Sequence, residues 1–187
     1  MDEDVAQARD LAPFDRGRDM DWYILVVDQH PGKRCYLTPL SLELIARIGA
    51  CPGAAIVGEA LNAAEAIMSK SPGRMRPEEF VPNPAFAHFL HAVLARRAPN
   101  CPGVRREAQR QRHGYVYILD ARTPDPQGDV PGADVIGAVE LQDGRPGKYI
   151  GSPNYEPYGH HGLMQLESWL EARFMEELLA LAQRRPS

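Results

Sequence analysis

The chain has 187 residues, 44% of them hydrophobic and 25% charged, with 21 bases against 25 acids for a formal net charge of -4. These are the proportions of an ordinary globular protein, which excludes collagen-like, coiled-coil and wholly disordered classes, and the length suits one sizeable core. Mild acidity argues against a general nucleic-acid binder, and no apolar run approaches the roughly 18 residues of a membrane-spanning helix.

The charge is unevenly placed. Residues 1–21 hold seven acids against three bases, so this stretch alone carries the net charge and the rest is formally neutral. With only Val5, Leu11 and Phe14 to bury, residues 1–20 read as an acidic, poorly ordered tail ahead of a single α+β domain over 21–187. Such acidity is the opposite of a secretory or mitochondrial leader.

Pro-Gly pairs at 31–32, 52–53, 72–73, 102–103, 131–132 and 146–147 punctuate the chain. Each sets a proline's fixed φ beside a residue free to take positive φ, so each predicts a turn. The apolar run Trp22 to Asp28 predicts a buried strand. Thr38 then caps a helix with Pro39 first, Leu40, Leu44, Ile45 and Ile48 on one face, and Gly49 as its stop. A short strand at Ala54 to Val57 and an Ala-rich helix from Glu59 to about Ser69 follow. Asn83-Pro84 opens a helix with Phe86, Phe89, Leu90, Val93 and Leu94 at helical spacing.

Three strands are expected at Tyr115 to Asp120, Val135 to Leu141 and Lys148 to Ile150. A final helix carries Leu163, Leu166, Leu170, Phe174, Leu178 and Leu181 inward, with Glu167, Glu171 and Arg173 facing out. The fold expected is α+β: an antiparallel sheet of about four to five strands, the Tyr115 to Ile150 meander joined by the Trp22 strand, with helices on one face and a long C-terminal helix.

Three fragments, Val26-Val27-Asp28-Gln29-His30-Pro31, Ile56-Val57-Gly58-Glu59-Ala60 and Tyr117-Ile118-Leu119-Asp120-Ala121-Arg122-Thr123-Pro124, resemble pieces of a response-regulator receiver domain. That resemblance implies a parallel sheet with Asp120 as phosphoacceptor. Parallel pairs need crossovers of about a dozen residues or more, usually helical. Here Arg122 to Ala133 is rich in proline and glycine, and Gln142 to Gly147 is short, so both connections fit antiparallel hairpins. Gln29 also stands where the family has the second acid of its pair.

The loop Ser152 to Gly162 gathers Tyr155, Glu156, Tyr158, His160 and His161 between a strand and the last helix. Tyrosines in such a loop suit a protein interface, because they add contact area at low entropic cost and still offer a hydroxyl. Adjacent histidines are also metal-ligand types, although neighbours in sequence diverge unless the backbone turns sharply. From Arg96 to Arg112 six arginines face only Glu107, and Arg105 and Arg106 offer planar forks for an acidic partner. That stretch lacks aromatic residues for base stacking. Asp120, Asp125, Asp129 and Asp134 crowd a Pro/Gly-rich loop and read as turn acids, while His88 and His91 sit one helical turn apart and read as structural.

Cys35, Cys51 and Cys101 are odd in number and form no C-x-x-C pair, which points to a reducing cytoplasm and to neither a disulfide framework nor a zinc site. No nucleophile elbow, P-loop or dinucleotide fingerprint is present. The expectation is a non-enzymatic protein-binding module without cofactor or metal, of the kind represented by bacterial immunity or adaptor proteins that bind and block a partner. Its binding residues would be Tyr155, Glu156, Tyr158, His160, His161, Arg105 and Arg106, the partner another protein, and homo-oligomers compatible with that role. Two alternatives are a metal-dependent hydrolase using His160, His161 and Asp120 or Glu140, and a receiver-like phosphoacceptor domain.

Overall fold

The computed structural model describes residues 8–9, 20–30, 32–61, 75–123 and 125–184. Most of the acidic tail, the 62–69 part of the Ala-rich helix and the Pro-Gly pair at 72–73 lie outside them. The chain divides into two units, one of residues 1–88 with 178–187 and one of residues 89–177.

The first unit is built on an antiparallel sheet in the order β1-β2-β3-β4-β5. Its strands are β1 (Ala8–Arg9), β2 (Tyr23–Gln29), β3 (Gly32–Thr38), β4 (Gly58–Ala60) and β5 (Phe80–Pro82), with helix α1 (Leu42–Ile48) between β3 and β4. Trp22, Ile24, Leu25, Cys35, Leu37, Val57 and Phe80 are buried. The Trp22 run is thus a strand as expected, but it pairs with β3 and does not join the Tyr115 to Ile150 meander.

Helix α1 starts later than the sequence suggests. Ser41 caps it by accepting from the Leu44 amide at 3.2 Å, while Thr38, fully buried, accepts from the Leu40 amide at 3.2 Å in the turn before it. Gly49 ends it with φ of 81°, a left-handed value that glycine adopts without steric cost. The strand expected at Ala54 to Val57 is instead a 3-10 turn over Gly53–Ala55, and residues 58–60, expected to enter a helix, form β4. Gly58 has no room for a side chain: a Cβ there would lie 2.4 Å from the Val81 carbonyl oxygen.

Helix α2 (Pro84–Arg97) opens where Asn83-Pro84 predicts. Asn83 Oδ1 accepts from the Ala85 amide at 3.0 Å, and its Nδ2 donates to the carbonyls of Gly53 and Ile56 at 2.8 and 2.7 Å, so one side chain caps the helix and ties down the 3-10 turn. Helix α3 (Pro102–Gln111) uses Pro102 as its first residue, which turns the expected Pro-Gly turn into a helix start.

The second unit holds a three-stranded antiparallel meander, β6 (Gly114–Leu119), β7 (Val135–Gln142) and β8 (Arg145–Gly151), and a small hairpin, β9 (Tyr158–Gly159) with β10 (Gly162–Leu163). All strand pairs between described residues are antiparallel, so the parallel sheet implied by the receiver resemblance does not form. Alternation along β6 to β8 puts Ile118, Val139 and Tyr149 on the covered face, where Leu90, Val93 and Leu94 of α2 and Val104 and Ala108 of α3 are also buried. Gly137 and Gly151 pair across the strands and leave space there for the Tyr149 hydroxyl and the His91 ring. That hydroxyl donates to the Ile136 carbonyl at 3.2 Å and accepts from His91 Nδ1 at 2.9 Å.

Helix α4 (Ser168–Gln183) closes the described chain. Leu170, Phe174 and Leu178 form the buried stripe, and Phe174 meets Phe89 edge-on at 5.8 Å between ring centres. Leu163 lies in β10, and Glu167, just before α4, accepts from the amides of Trp169 and Leu170 at 3.2 and 3.3 Å. Glu171, expected outside, is buried at 4% exposure, whereas Arg173 lies over the Trp169 ring, 5.7 Å from its centre. No helix among the described residues is long and apolar enough to cross a membrane.

Candidate functional site

The 152–162 loop is held in the second unit by a buried ionic cluster. Its centre is Arg122, whose side chain is 1% exposed. The guanidinium pairs with Asp120 Oδ2 at 3.3 Å and Asp134 Oδ1 at 3.1 Å, and donates to the main-chain carbonyls of Glu156, Pro157 and Gly162, the last at 2.6 Å. A buried cation needs both charge partners and acceptors for its remaining protons, and this arrangement supplies them.

Asp120 is equally well satisfied. Its Oδ1 accepts from the amides of Arg122 at 3.1 Å and Gln165 at 2.9 Å, and its Oδ2 accepts from the Tyr155 hydroxyl at 2.8 Å. Burial pushes the carboxyl above its ordinary pKa, and the Arg122 charge pulls it back. Burial, and the carboxylate beside it, likewise raise the Tyr155 phenol well above its usual range. Asp134 accepts from Thr123 Oγ1 at 3.4 Å, and His161 Nδ1 stands 3.6 Å from its Oδ2.

The residues singled out by sequence therefore divide. Tyr155 and Tyr158 anchor the loop, Tyr155 through Asp120 and Tyr158 by burial at 6% exposure. Glu156, His160 and His161 are exposed, the histidines because Gly159 pairs with Gly162 and leaves them at the tip of a tight hairpin. Arg105 and Arg106 are exposed on α3, where Arg105 donates to Asn100 Oδ1 at 2.7 Å. Within the same arginine run, Arg96 and Arg97 grip Glu177 at 3.1 and 2.6 Å. Asp125 is a turn acid that accepts from the Gln127 amide, while Asp134 is not: it belongs to the buried cluster. Among the described residues, no three His, Cys, Asp or Glu side chains come together as a metal-binding group.

Sequence reading missed a second surface, the open face of the meander. Tyr117 pairs across to Ala138, and Ala138 to Ile150, so the three stand in one row. Tyr115 lies beside them opposite Glu140. Tyr117 is 62% exposed, Ile150 47% and Tyr115 46%. The signal was present: Tyr115 and Tyr117 alternate with Val116 and Ile118, the period-two pattern of a strand with both faces apolar. In the first unit a groove of about 500 Å³ is lined by Arg47, Ile48, Ala50, Pro52, Leu181 and Ala182, among others. It includes none of the residues that the sequence points to.

Comparison of the chain with known protein families, with characterised proteins and with solved structures finds no match.

Proposed function

We propose that this chain is a protein-binding module that acts by covering a partner's surface, as an immunity or adaptor protein does. The observation that supports the reading is the row Tyr117, Ala138 and Ile150 with Tyr115 beside it: large apolar side chains left exposed on a sheet whose other face buries Ile118, Val139 and Tyr149. Tyrosines and an aliphatic anchor around a small central residue match the composition of binding centres, and Glu140 and Lys148 add polar groups to the same strands. The clamped loop would contribute Glu156, His160 and His161 as a second, polar element held in one shape, which lowers the entropic cost of binding.

The test compares the intact chain with Ile150→Asp and with a Glu156→Ala/His160→Ala double variant as bait in the native cell extract. A protein retained by the intact chain, lost with Ile150→Asp, and bound again when purified supports the proposal. Retention of nothing specific, or equal retention by all three baits, overturns it.

A further inference from the structure

We propose that β6 is the edge through which two copies of this chain pair, antiparallel and about a twofold axis at Val116. This goes beyond the binding role proposed above: it concerns the backbone edge of the meander, although Tyr115 and Tyr117, which flank the axis, also belong to the open face.

The sheet order β6-β7-β8 leaves two edges, and they differ in character. Edge strands present unpaired amide and carbonyl groups and are ordinarily blunted by charge, proline or cover. Strand β8 is blunted: it carries Arg145, Pro146 and Lys148, so a second β8 would bring like charges together and meet a residue without an N–H. Strand β6, Gly-Tyr-Val-Tyr-Ile-Leu, has neither charge nor proline. Among the described residues, no backbone hydrogen bond leaves its outer edge.

Its own register supplies the complementarity. Pairing of β6 with β7 is regular from Gly114 to Ile118 and shifts only beyond it, so the straight stretch is centred on Val116. An antiparallel copy in that register sets Val116 against itself and Tyr115 against the copy's Tyr117, twice. Cross-strand aromatic pairs on one face are favourable, and an isologous pairing uses each edge once and closes. Continuation through β8 is opposed by its charges and proline, so association stops at two copies. The two meanders become one continuous sheet with the four tyrosines side by side at its centre.

The experiment uses the full chain. Sedimentation from low micromolar concentration to the solubility limit is expected to show a species of twice the 20.8 kDa chain mass. Hydrogen exchange over the same range is expected to show amides between Tyr115 and Ile118 becoming protected as the dimer forms. Tyr115→Lys/Tyr117→Lys and Tyr115→Glu/Tyr117→Glu alter exposed side chains only, and each is expected to weaken self-association by about tenfold or more. Mixing the two places opposite charges across the axis and is expected to restore a one-to-one dimer. A chain that stays monomeric throughout overturns the proposal, as does a dimer whose β6 amides gain no protection, or a double-lysine variant that associates like the parent.

Discussion

Tyr155 donates its hydroxyl proton to Asp120 Oδ2 at 2.8 Å, joining the middle of the 152–162 loop to the end of β6. Because the acceptor is a buried carboxylate, losing the donor costs more than losing an ordinary hydrogen bond. Tyr155→Phe keeps the ring and removes only that donor, and is expected to destabilise the protein by about 1.5–3 kcal/mol. Urea denaturation checks it: the midpoint should fall while the slope stays as in the parent, since the surface exposed on unfolding is nearly the same.

Arg122→Ala should be more damaging. It strands Asp120 and Asp134 as buried acids without their cation and releases three loop carbonyls, so a loss of about 3–5 kcal/mol is expected. Hydrogen exchange should show the 156–163 segment opening in the variant under conditions where the α4 amides remain protected. An unchanged exchange pattern would show that the loop holds its shape without the clamp.

The Arg97 guanidinium, with Arg96 beside it, holds the Glu177 carboxyl below the usual carboxylate range. A depressed folded-state pKa gives stability that is fully present above the unfolded value, near 4.3, and disappears as pH falls through the folded value. Glu177→Gln is therefore expected to lower stability at neutral pH and to leave it flatter below about pH 4. The effect should be small, because the pair is only partly buried and remains within reach of screening by salt. Melting temperatures from pH 2 to pH 7 at low and high salt give the comparison.

Cys35 and Cys101 are buried and Cys51 is half-buried, and burial raises all three thiols above their ordinary pKa. Thiolate is the reactive form, so native protein should react slowly with an alkylating reagent, and first at Cys51. Peptide mapping after graded exposure is expected to find Cys35 and Cys101 modified only when urea unfolds the chain. Early modification of Cys101 would contradict its burial at the start of α3.

The helices opened by Asn83 and closed by Gly49, and the three strands of the meander, were readable because the signals that specify them are local: a cap, a left-handed stop, an alternation. Misreadings arose where one dipeptide has several structural uses. Pro102 begins a helix, and Pro146-Gly147 lies inside β8, with the true turn at Asp143 and Gly144, both at positive φ (51° and 79°). Asp-Gly is the stronger hairpin signal, and Asp143-Gly144 stands one residue before Pro146-Gly147. The site was harder to read. Arg122, Asp134 and the loop carbonyls are far apart in sequence, and nothing in their spacing says that a turn-rich segment closes over them. Glu171 illustrates the same limit, since one position in an amphipathic helix is buried only if the neighbouring chain covers it.

Arg122 grips the loop by main-chain oxygens and not by its side chains. The grip of Arg122 is accordingly indifferent to which residues stand at 156 and 160, and at 161 only the approach of His161 to Asp134, at 3.6 Å, is at stake, provided that Gly159 and Gly162 keep the hairpin. Those three positions form a constant frame with variable content. Substituting them in combination should yield a library of surfaces on one unchanged backbone, whether the substitutions are made by selection in nature or by grafting at the bench.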